Sequence, residues 1–399
     1  MAIADVKEYT HLTTEEVEEL GRELDAIRAE VEESRNDDDA AYIYRMIRIQ
    51  RRLAAAGRIT LFASKYKPAF FAGTAMLGVA KILENMEIGH NVMHGQWDWM
   101  NDPEVHSSNW EWDTAQPAEQ WKHSHNYVHH QFTNVLGYDN DIGYGILRMA
   151  REQKWSPFNL GQPLYNAALA TLFQWGVALH DLDIEAIRKR EKDPRVMKKQ
   201  LKQIGRKIRR QITKDYVIYP ALTGPNFLAT ASANATANLM RNLWSYMIIF
   251  CGHFPDGAMH FTEEEIEDET RPEWYLRQML GSANFEGGRL LHIMSGSLGF
   301  QIEHHLFPDL PSNRYPEIAV KVRALCEKYD LPYTTGPLHR QYGQALRTIM
   351  KLSLPNRWTK NNGPDPTEPL APIDRRRKTD AERQVRRLET GKYMSRATA

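Results

Sequence analysis

The chain has 399 residues, with 51 basic and 51 acidic side chains, and its formal net charge of zero argues against a general nucleic-acid binder. Its two cysteines, Cys251 and Cys326, lie far apart and form no disulfide framework, so a reducing compartment is expected. The first residues show neither the basic nor the apolar region of a signal peptide, and we expect no export. The length allows one large domain or two ordinary ones.

The first predicted element is a helix in an acidic N-terminal segment, residues 1–57. Thr13 followed by Glu16 has the pattern of a capping box. Four apolar residues then recur on one helical stripe: Val17, Leu20, Leu24 and Ile27. We interpret this element as a helix packed on the rest of the protein, in preference to a partner-binding helix.

Three stretches that follow are short of charged residues, although charged residues form 26% of the chain. They are residues 68–83, 155–180 and 216–254, and the contrast favours membrane spans. We expect 216–234 and 235–252 to form a helical hairpin that leads to His253.

Two observations oppose these spans. Residues 222–242 contain many Thr, Ser and Asn residues, and the mean hydropathy of −0.58 is typical of a soluble protein. A membrane span needs about 20 mostly apolar residues, a length that this stretch meets poorly. We nevertheless predict insertion in the cytoplasmic membrane.

The second half of the chain is predicted to be helical. Residues 187–214 are dominated by Lys and Arg, which is typical of a solvated helical face, of a cytoplasmic flank, or of a surface for anionic lipid headgroups or the phosphates of a ligand. Helical periodicity covers 316–329 and 337–353, and no alternating pattern indicates a sheet. Residues 356–399 are expected to form a mobile basic tail.

Eight of the fifteen histidines form the most specific pattern in the chain. They are His90 and His94; His125, His129 and His130; His304 and His305; and the single His253. Residues four apart share one face of an α-helix, so each of the first two groups can direct two imidazoles at one metal. His130 lies about 100° further round the helix and can serve a second metal or a bridging position.

The number of donors indicates two metal ions. Gln301, three and four residues before His304 and His305, adds a neutral oxygen donor. One zinc ion uses about four ligands, fewer than are present here. The zinc-protease pattern H-E-x-x-H is absent, and the E-x-x-H pattern of carboxylate-bridged di-iron proteins occurs near the clusters only at Glu87.

Three strings around these residues resemble the histidine boxes of the membrane fatty-acid desaturases. They are GHNVMHGQWDWMNDPEVH (89–106), WKHSHNYVHHQFTN (121–134) and GSLGFQIEHHLFPDLPSNRYPEI (296–318). The flanking text is most similar to the actinobacterial stearoyl-CoA Δ9-desaturases, and the resemblance covers roughly residues 58–355. It implies a membrane desaturase domain over that range.

The resemblance also implies a di-iron centre. Its expected ligands are His90, His94, His125, His129, His130, His253, His304 and His305. Gln301 is expected in or beside the ligand shell, while His106 and His123 are candidates for orienting a ligand. Animal stearoyl-CoA desaturases carry an Asn four residues before the equivalent of His253, whereas this chain has Ile249.

The fold class that we predict is all-α, with a transmembrane helical stem and a cytosolic helical di-iron catalytic cap. A multi-pass protein whose active site faces the cytosol would use O2 and two electrons to desaturate a long-chain acyl-CoA or acyl lipid, with stearoyl-CoA at Δ9 as the expected substrate. The chain lacks a heme-binding HPGG, four cysteines for an iron-sulfur cluster and a G-x-G-x-x-G after a strand. A separate NAD(P)H-dependent flavin and iron-sulfur oxidoreductase is therefore expected.

Two alternatives remain open at this point. The same boxes occur in di-iron hydroxylases and alkane monooxygenases, which return oxygen to the substrate. A non-catalytic membrane scaffold that retains the boxes is the second alternative.

Overall fold

The computed structural model describes residues 6–180, 182 and 193–358, most of which are helical. The helices are α1 Thr14–Glu33, α2 Asp37–Thr60, α3 Lys67–Leu83, α4 Ala118–Trp121, α5 Gln162–Thr171, α6 Phe173–His180, α7 Pro194–Ile212, α8 Tyr219–Leu222, α9 Phe227–His253, α10 Arg271–Leu280, α11 Arg289–Met294, α12 Gln301–Leu306, α13 Tyr315–Lys328 and α14 Leu338–Leu352, with a helical turn Asn91–Met93. The predicted basic tail from 359 onward and residues 187–192 of the basic run lie outside the described residues.

The predicted helical fold is confirmed, with one small exception. Two strands of three residues, β1 Asn284–Glu286 and β2 Thr335–Pro337, pair in parallel with Asn284 opposite Thr335. Helices α13 and α14 begin and end within a residue of the predicted ranges.

Helix α1 begins at the predicted capping box and packs into the main core. The Thr13 side chain accepts a hydrogen bond from the Glu16 backbone, and the Glu16 carboxylate accepts one from the Thr13 backbone. The apolar stripe is buried against α10 and α13. Ahead of this helix, the Tyr9 hydroxyl donates to the carbonyl of Leu276 at 2.6 Å. The N-terminal segment therefore closes the core behind the third histidine box.

The predicted hairpin is wrong, because α9 is one continuous helix of 27 residues. Between Phe227 and Cys251 the sequence has no glycine or proline, and its alanines and leucines favour a helix. The chain turns earlier, at Gly224–Asn226, where Gly224 has a φ of +55° that suits a residue without a side chain. Helix α9 packs along α3, which in turn packs against α2.

The predicted transmembrane stem is not confirmed. Across residues 6–180, 182 and 193–358, no helix is both long enough and apolar enough to cross a membrane. The longest helix, α9, carries buried polar side chains, among them Asn234, Arg241 and Asn242.

Two segments that carry histidines are π-helices, where the sequence predicted α-helices. They are Glu84–His90 and Lys122–His129. A π-helix bonds residue i to i+5 and is frequent at functional sites. The wider turn still stacks the rings of His125 and His129, whose centroids lie 4.9 Å apart.

Candidate metal centre

Four helical segments bring the eight histidines together. His90 ends the first π-helix and His94 follows one turn later, while His129 ends the second π-helix. His253 is the last residue of α9, and α12 carries His304 and His305. All eight are buried except His125, which is partly buried.

The nitrogen atoms of seven of these histidines form two groups. The first group is His90, His94, His125 and His304; the second group is His129, His253 and His305. Within each group one ligand atom per residue lies within 4.8 Å of the others. The ring of His130 lies 4.7 Å from that of His94 and 4.4 Å from that of His305, so it stands between the groups. This arrangement offers donors for two ions that lie side by side.

The Nδ1 atoms of three histidines lie within hydrogen-bond distance of neutral side chains. The Nδ1 atom of His90 lies 2.9 Å from the amide oxygen of Asn91, whose NH2 group donates to two carbonyls. The Nδ1 atom of His304 lies 3.2 Å from the Tyr315 hydroxyl. In His305 the same atom lies 3.2 Å from the amide oxygen of Gln278.

Carboxylates hold two further histidines. The Nδ1 atom of His129 lies 3.0 and 3.1 Å from the two oxygens of Asp139, and that of His125 lies 3.4 Å from Asp141. Both aspartates follow the second box in the string GYDND. Our sequence reasoning missed them, although a D-x-D pattern so close behind a histidine box is a usable signal. Such partners fix the ring orientation of a metal-binding histidine.

The inner nitrogens fit metal ions. The Nε2 atoms of His94, His125, His129, His130 and His304 are buried and have no hydrogen-bond partner among the described residues. Burial of an unpaired polar atom is unfavourable, and so many in one space make the cluster suited to bind cations. Imidazole suits iron and also zinc, copper and nickel.

The site favours neutral imidazoles, which are the form that binds a metal. Burial and then repulsion from His125 lower the pKa of His90 to about 3, although the hydrogen bond with Asn91 acts in the opposite direction. Burial and then repulsion from neighbouring histidines hold the pKa of His94, His130, His304 and His305 well below the usual value. His129 differs, because burial lowers its pKa but the charge and hydrogen bonds of Asp139 outweigh that effect and raise it.

Gln301 lies at the second group. Its amide nitrogen stands 3.0 Å from the Nε2 atom of His253, and its amide oxygen is buried without a hydrogen-bond partner within the described part of the chain. Rotation of the Gln301 amide by 180° exchanges its nitrogen and oxygen, so either atom can face the site. Gln301 is thus available as a neutral ligand or as a partner of His253.

A cavity with an empty volume of about 900 Å³ opens beside the metal centre. It contacts His90, His125, His129 and His253. Its apolar wall consists of Trp112, Trp121, Tyr144, Phe173, Val177, Ile249 and Phe254. The cavity can hold an apolar chain against the histidine cluster.

Two predicted candidates lie outside the cluster. The Nδ1 atom of His106 contacts Ser108 and Asp98, and this histidine is partly exposed. His123 is exposed and stacks on Tyr127. Neither belongs to the two metal-binding groups. Ile249, the position where animal enzymes carry Asn, lines the cavity one helical turn before His253.

The sequence model of the fatty acid desaturase family matches residues 67–337. The chain belongs to this family. It is 54% identical, over 92% of its length and 87% of the relative's, to an NADPH-dependent stearoyl-CoA 9-desaturase of Mycobacterium tuberculosis. It is 24% identical to an sn-1 linoleoyl-lipid 6-desaturase of Synechocystis, over 80% of this chain and 89% of that protein. As a desaturase, the protein is an oxidoreductase.

Proposed function

We propose that this desaturase introduces a cis double bond at Δ9 of stearoyl-CoA, with two iron ions held by the eight histidines. The observation that carries the proposal is the pair of histidine groups whose unpaired Nε2 atoms meet beside an apolar cavity. When bound, the irons supply the activation of O2 that is needed to oxidise an unactivated methylene. The overall change converts CH2–CH2, O2, two electrons and two protons into CH=CH and two waters.

The protein's own part is to hold the acyl chain and exclude water. Trp112, Trp121 and Phe173 give the cavity an apolar wall on which an alkyl chain packs. Ser245, Ile249 and His253 follow one another at four-residue intervals on α9 and line the same cavity. By helical rise, Ser245 lies about 12 Å along the axis from His253. The acyl chain of the substrate can therefore extend past the metals towards Ser245.

A groove beside α7 supports a position for the coenzyme A headgroup. Lys199, Gln200 and Gln203 line one side of it, and His123 and Ser124 line the other. Ser124 also lines the central cavity, so the groove and the cavity meet there. Basic side chains of α7 would neutralise the phosphates, while the thioester enters beside Ser124.

Electrons would come from a separate NADPH-dependent flavin and iron-sulfur oxidoreductase. The name of the Mycobacterium relative supports NADPH as their source. The sequence carries no heme or iron-sulfur motif of its own.

Contact with the cytoplasmic membrane is also proposed. Large apolar side chains are exposed at one end of the helices α2, α3 and α9, including Phe62, Phe71, Leu222 and Leu228. The Asn226 side chain donates to the carbonyl of Phe62 at 2.6 Å, which holds two of these segments together. Such a patch is typical of a lipid-facing surface. A multi-pass arrangement with a cytosolic active site remains our prediction.

The experiment is to express the full chain with an NADPH-dependent reductase, supply stearoyl-CoA and determine the products by mass spectrometry. We expect an alkene at Δ9 and about two irons for each chain. Alcohols without alkenes would instead assign a hydroxylase. Purified protein without iron, together with unchanged lipids, would contradict the proposal and favour a scaffold.

A further inference from the structure

The ligand shell of the metal centre is electrically neutral, and its outer partners differ in charge. Neutral groups hold His90, His304 and His305 through Asn91, Tyr315 and Gln278. Over the ranges that the structure describes, the carboxylates that hydrogen-bond to the eight histidines are Asp139 and Asp141. Asp139 hydrogen-bonds to His129 of the second group, whereas Asp141 hydrogen-bonds to His125 of the first group and lies 3.8 Å from His129.

The chain holds Asp139 rigidly under His129. Its Oδ2 accepts the backbone N–H of Asn134 at 2.8 Å, and its Oδ1 accepts that of Asp141 at 2.9 Å. Asn134 adopts a left-handed φ of +56° and donates through its side chain to the carbonyls of Met259 and Gly281. This turn directs the loop back beneath the second box, and the side chain of Asp139 is 1% exposed.

Asp141 occupies an equivalent position under the first group. Its Oδ2 lies 3.4 Å from the Nδ1 atom of His125 and 3.8 Å from that of His129. Its other oxygen lies 3.8 Å from the Nε2 atom of His180.

Charge gives these two residues a specific role. Histidine and glutamine bring no negative charge to two divalent ions, so the nearest compensation comes from the outer partners. A carboxylate that accepts the outer N–H of a histidine makes the ring a stronger donor and fixes its tautomer. An amide or hydroxyl acceptor fixes the ring without adding charge.

We propose that Asp139 and Asp141 are positioning residues for the two metals, one for each. Asp139 acts through His129 on the ion of the second group, and Asp141 acts through His125 on the ion of the first group. The inference rests on the proposed di-iron function. It adds that one short loop, residues 137–141, sets the affinity and donor strength at both ions.

The test titrates the metal-stripped full chain with Co2+ and follows its visible spectrum as two equivalents bind. The variants are Asp139→Asn, Asp141→Asn and the double variant. Each single change should lower the affinity for one of the two Co2+ equivalents about 10- to 100-fold and shift the absorption bands of that equivalent. The affinity for the other equivalent should be unchanged. The double variant should weaken both. Asp256→Asn, which alters an exposed ion pair with Arg347, should bind as the wild type does.

Three outcomes would overturn the inference. They are unchanged affinity in both single variants, equal weakening of both equivalents by each variant, and loss of the same equivalent in both. Unfolding temperatures of the metal-free variants reveal any loss of the fold. If Asp139→Asn is destabilised, Asp141→Asn decides the question, because it leaves the backbone hydrogen bonds to Asp139 intact. Wild-type protein that binds no Co2+ would instead refute the proposed function itself.

Discussion

Gly252 and Gln301 are in such close contact that a β-carbon at position 252 would lie 2.8 Å from the amide carbon of Gln301. Gly252 precedes His253 on α9, and Gln301 opens α12. The missing side chain therefore creates the space in which the Gln301 amide reaches His253. Glycine at this position thus permits the contact between Gln301 and His253.

Gly252→Ala should displace Gln301 from His253. The far end of a flexible side chain can move, so we expect a folded protein with lower iron content and activity. Iron analysis and turnover measure the effect. Gly343→Ala is the matched control, because a β-carbon there meets nothing within 4 Å. Full iron occupancy in Gly252→Ala would show that the site does not need Gln301.

His129→Ala should abolish turnover and lower bound iron, since the second group would lose one of its three nitrogen donors. Removal of the ring also leaves the buried carboxylate of Asp139 without that partner. Metal analysis and product formation measure the effect. His339→Ala, at an exposed position outside both groups, should retain both properties. Wild-type activity in His129→Ala would remove this histidine from the ligand set.

Ser245→Phe should shorten the acyl chains that the protein accepts. Ser245 is buried and lines the cavity on the same stripe of α9 as His253. A phenyl ring would fill that end without altering the distance from headgroup to metal. We expect lower activity on stearoyl-CoA, retained activity on shorter acyl-CoA and an unchanged Δ9 position. Leu243→Phe, on the exposed face of α9, serves as control. A shifted double bond would contradict the proposed direction of the chain.

Lys199→Glu should raise KM for stearoyl-CoA and leave kcat nearly unchanged, because a headgroup contact acts mainly on substrate binding. Lys199 lines the α7 groove, whereas Lys198 is exposed and does not line it. Lys198→Glu is therefore the matched control. Equal effects of the two variants on KM would indicate that the overall positive charge of α7, and not the groove, attracts the headgroup.

Glu87→Gln should flatten the pH dependence of stability. The hydroxyls of Tyr42 and Ser312 donate to one oxygen of Glu87 at 2.6 and 3.1 Å. Burial raises the pKa of Glu87 from 4.5 to about 8. The protonated carboxyl then stabilises the fold fully below pH 4.5, and this contribution is lost as the pH rises through about 8.

The wild type should therefore lose about 1.4 kcal/mol of unfolding free energy per pH unit over this window, relative to Glu87→Gln. Urea unfolding at several pH values measures the difference. Glu286→Gln, at an exposed position of β1, should follow the wild type. An unfolding free energy that changes with pH to the same extent in Glu87→Gln and in the wild type would refute the raised pKa of Glu87.

The sequence predicted which histidines lie together more completely than it predicted their hydrogen-bond partners. Metal binding imposes a local spacing on residues such as His125 and His129, and local spacing is visible in one sequence. The partner of His304 is Tyr315, on the next helix, and the partner of His305 is Gln278, on α10. No periodicity reports such contacts, since they depend on how separate elements pack.

The fold shows a similar limit. The capping box of Thr13 and the periodicity of α13 are local signals, and both predictions are confirmed. The hairpin within 216–252 rested on length and apolarity alone, which do not locate a turn. The break is at Gly224, where a glycine and a proline adjoin.

The contact of Tyr9 with Leu276 spans 267 residues of chain and has a consequence for biosynthesis. The N-terminal segment leaves the ribosome long before its packing partners on α10 and α13 are made. Tyr315, which holds His304, belongs to the same core. The third box and this core can close only after α13 has been synthesised. If the eight histidines hold two irons as proposed, complete coordination of both ions therefore has to wait until this core has closed.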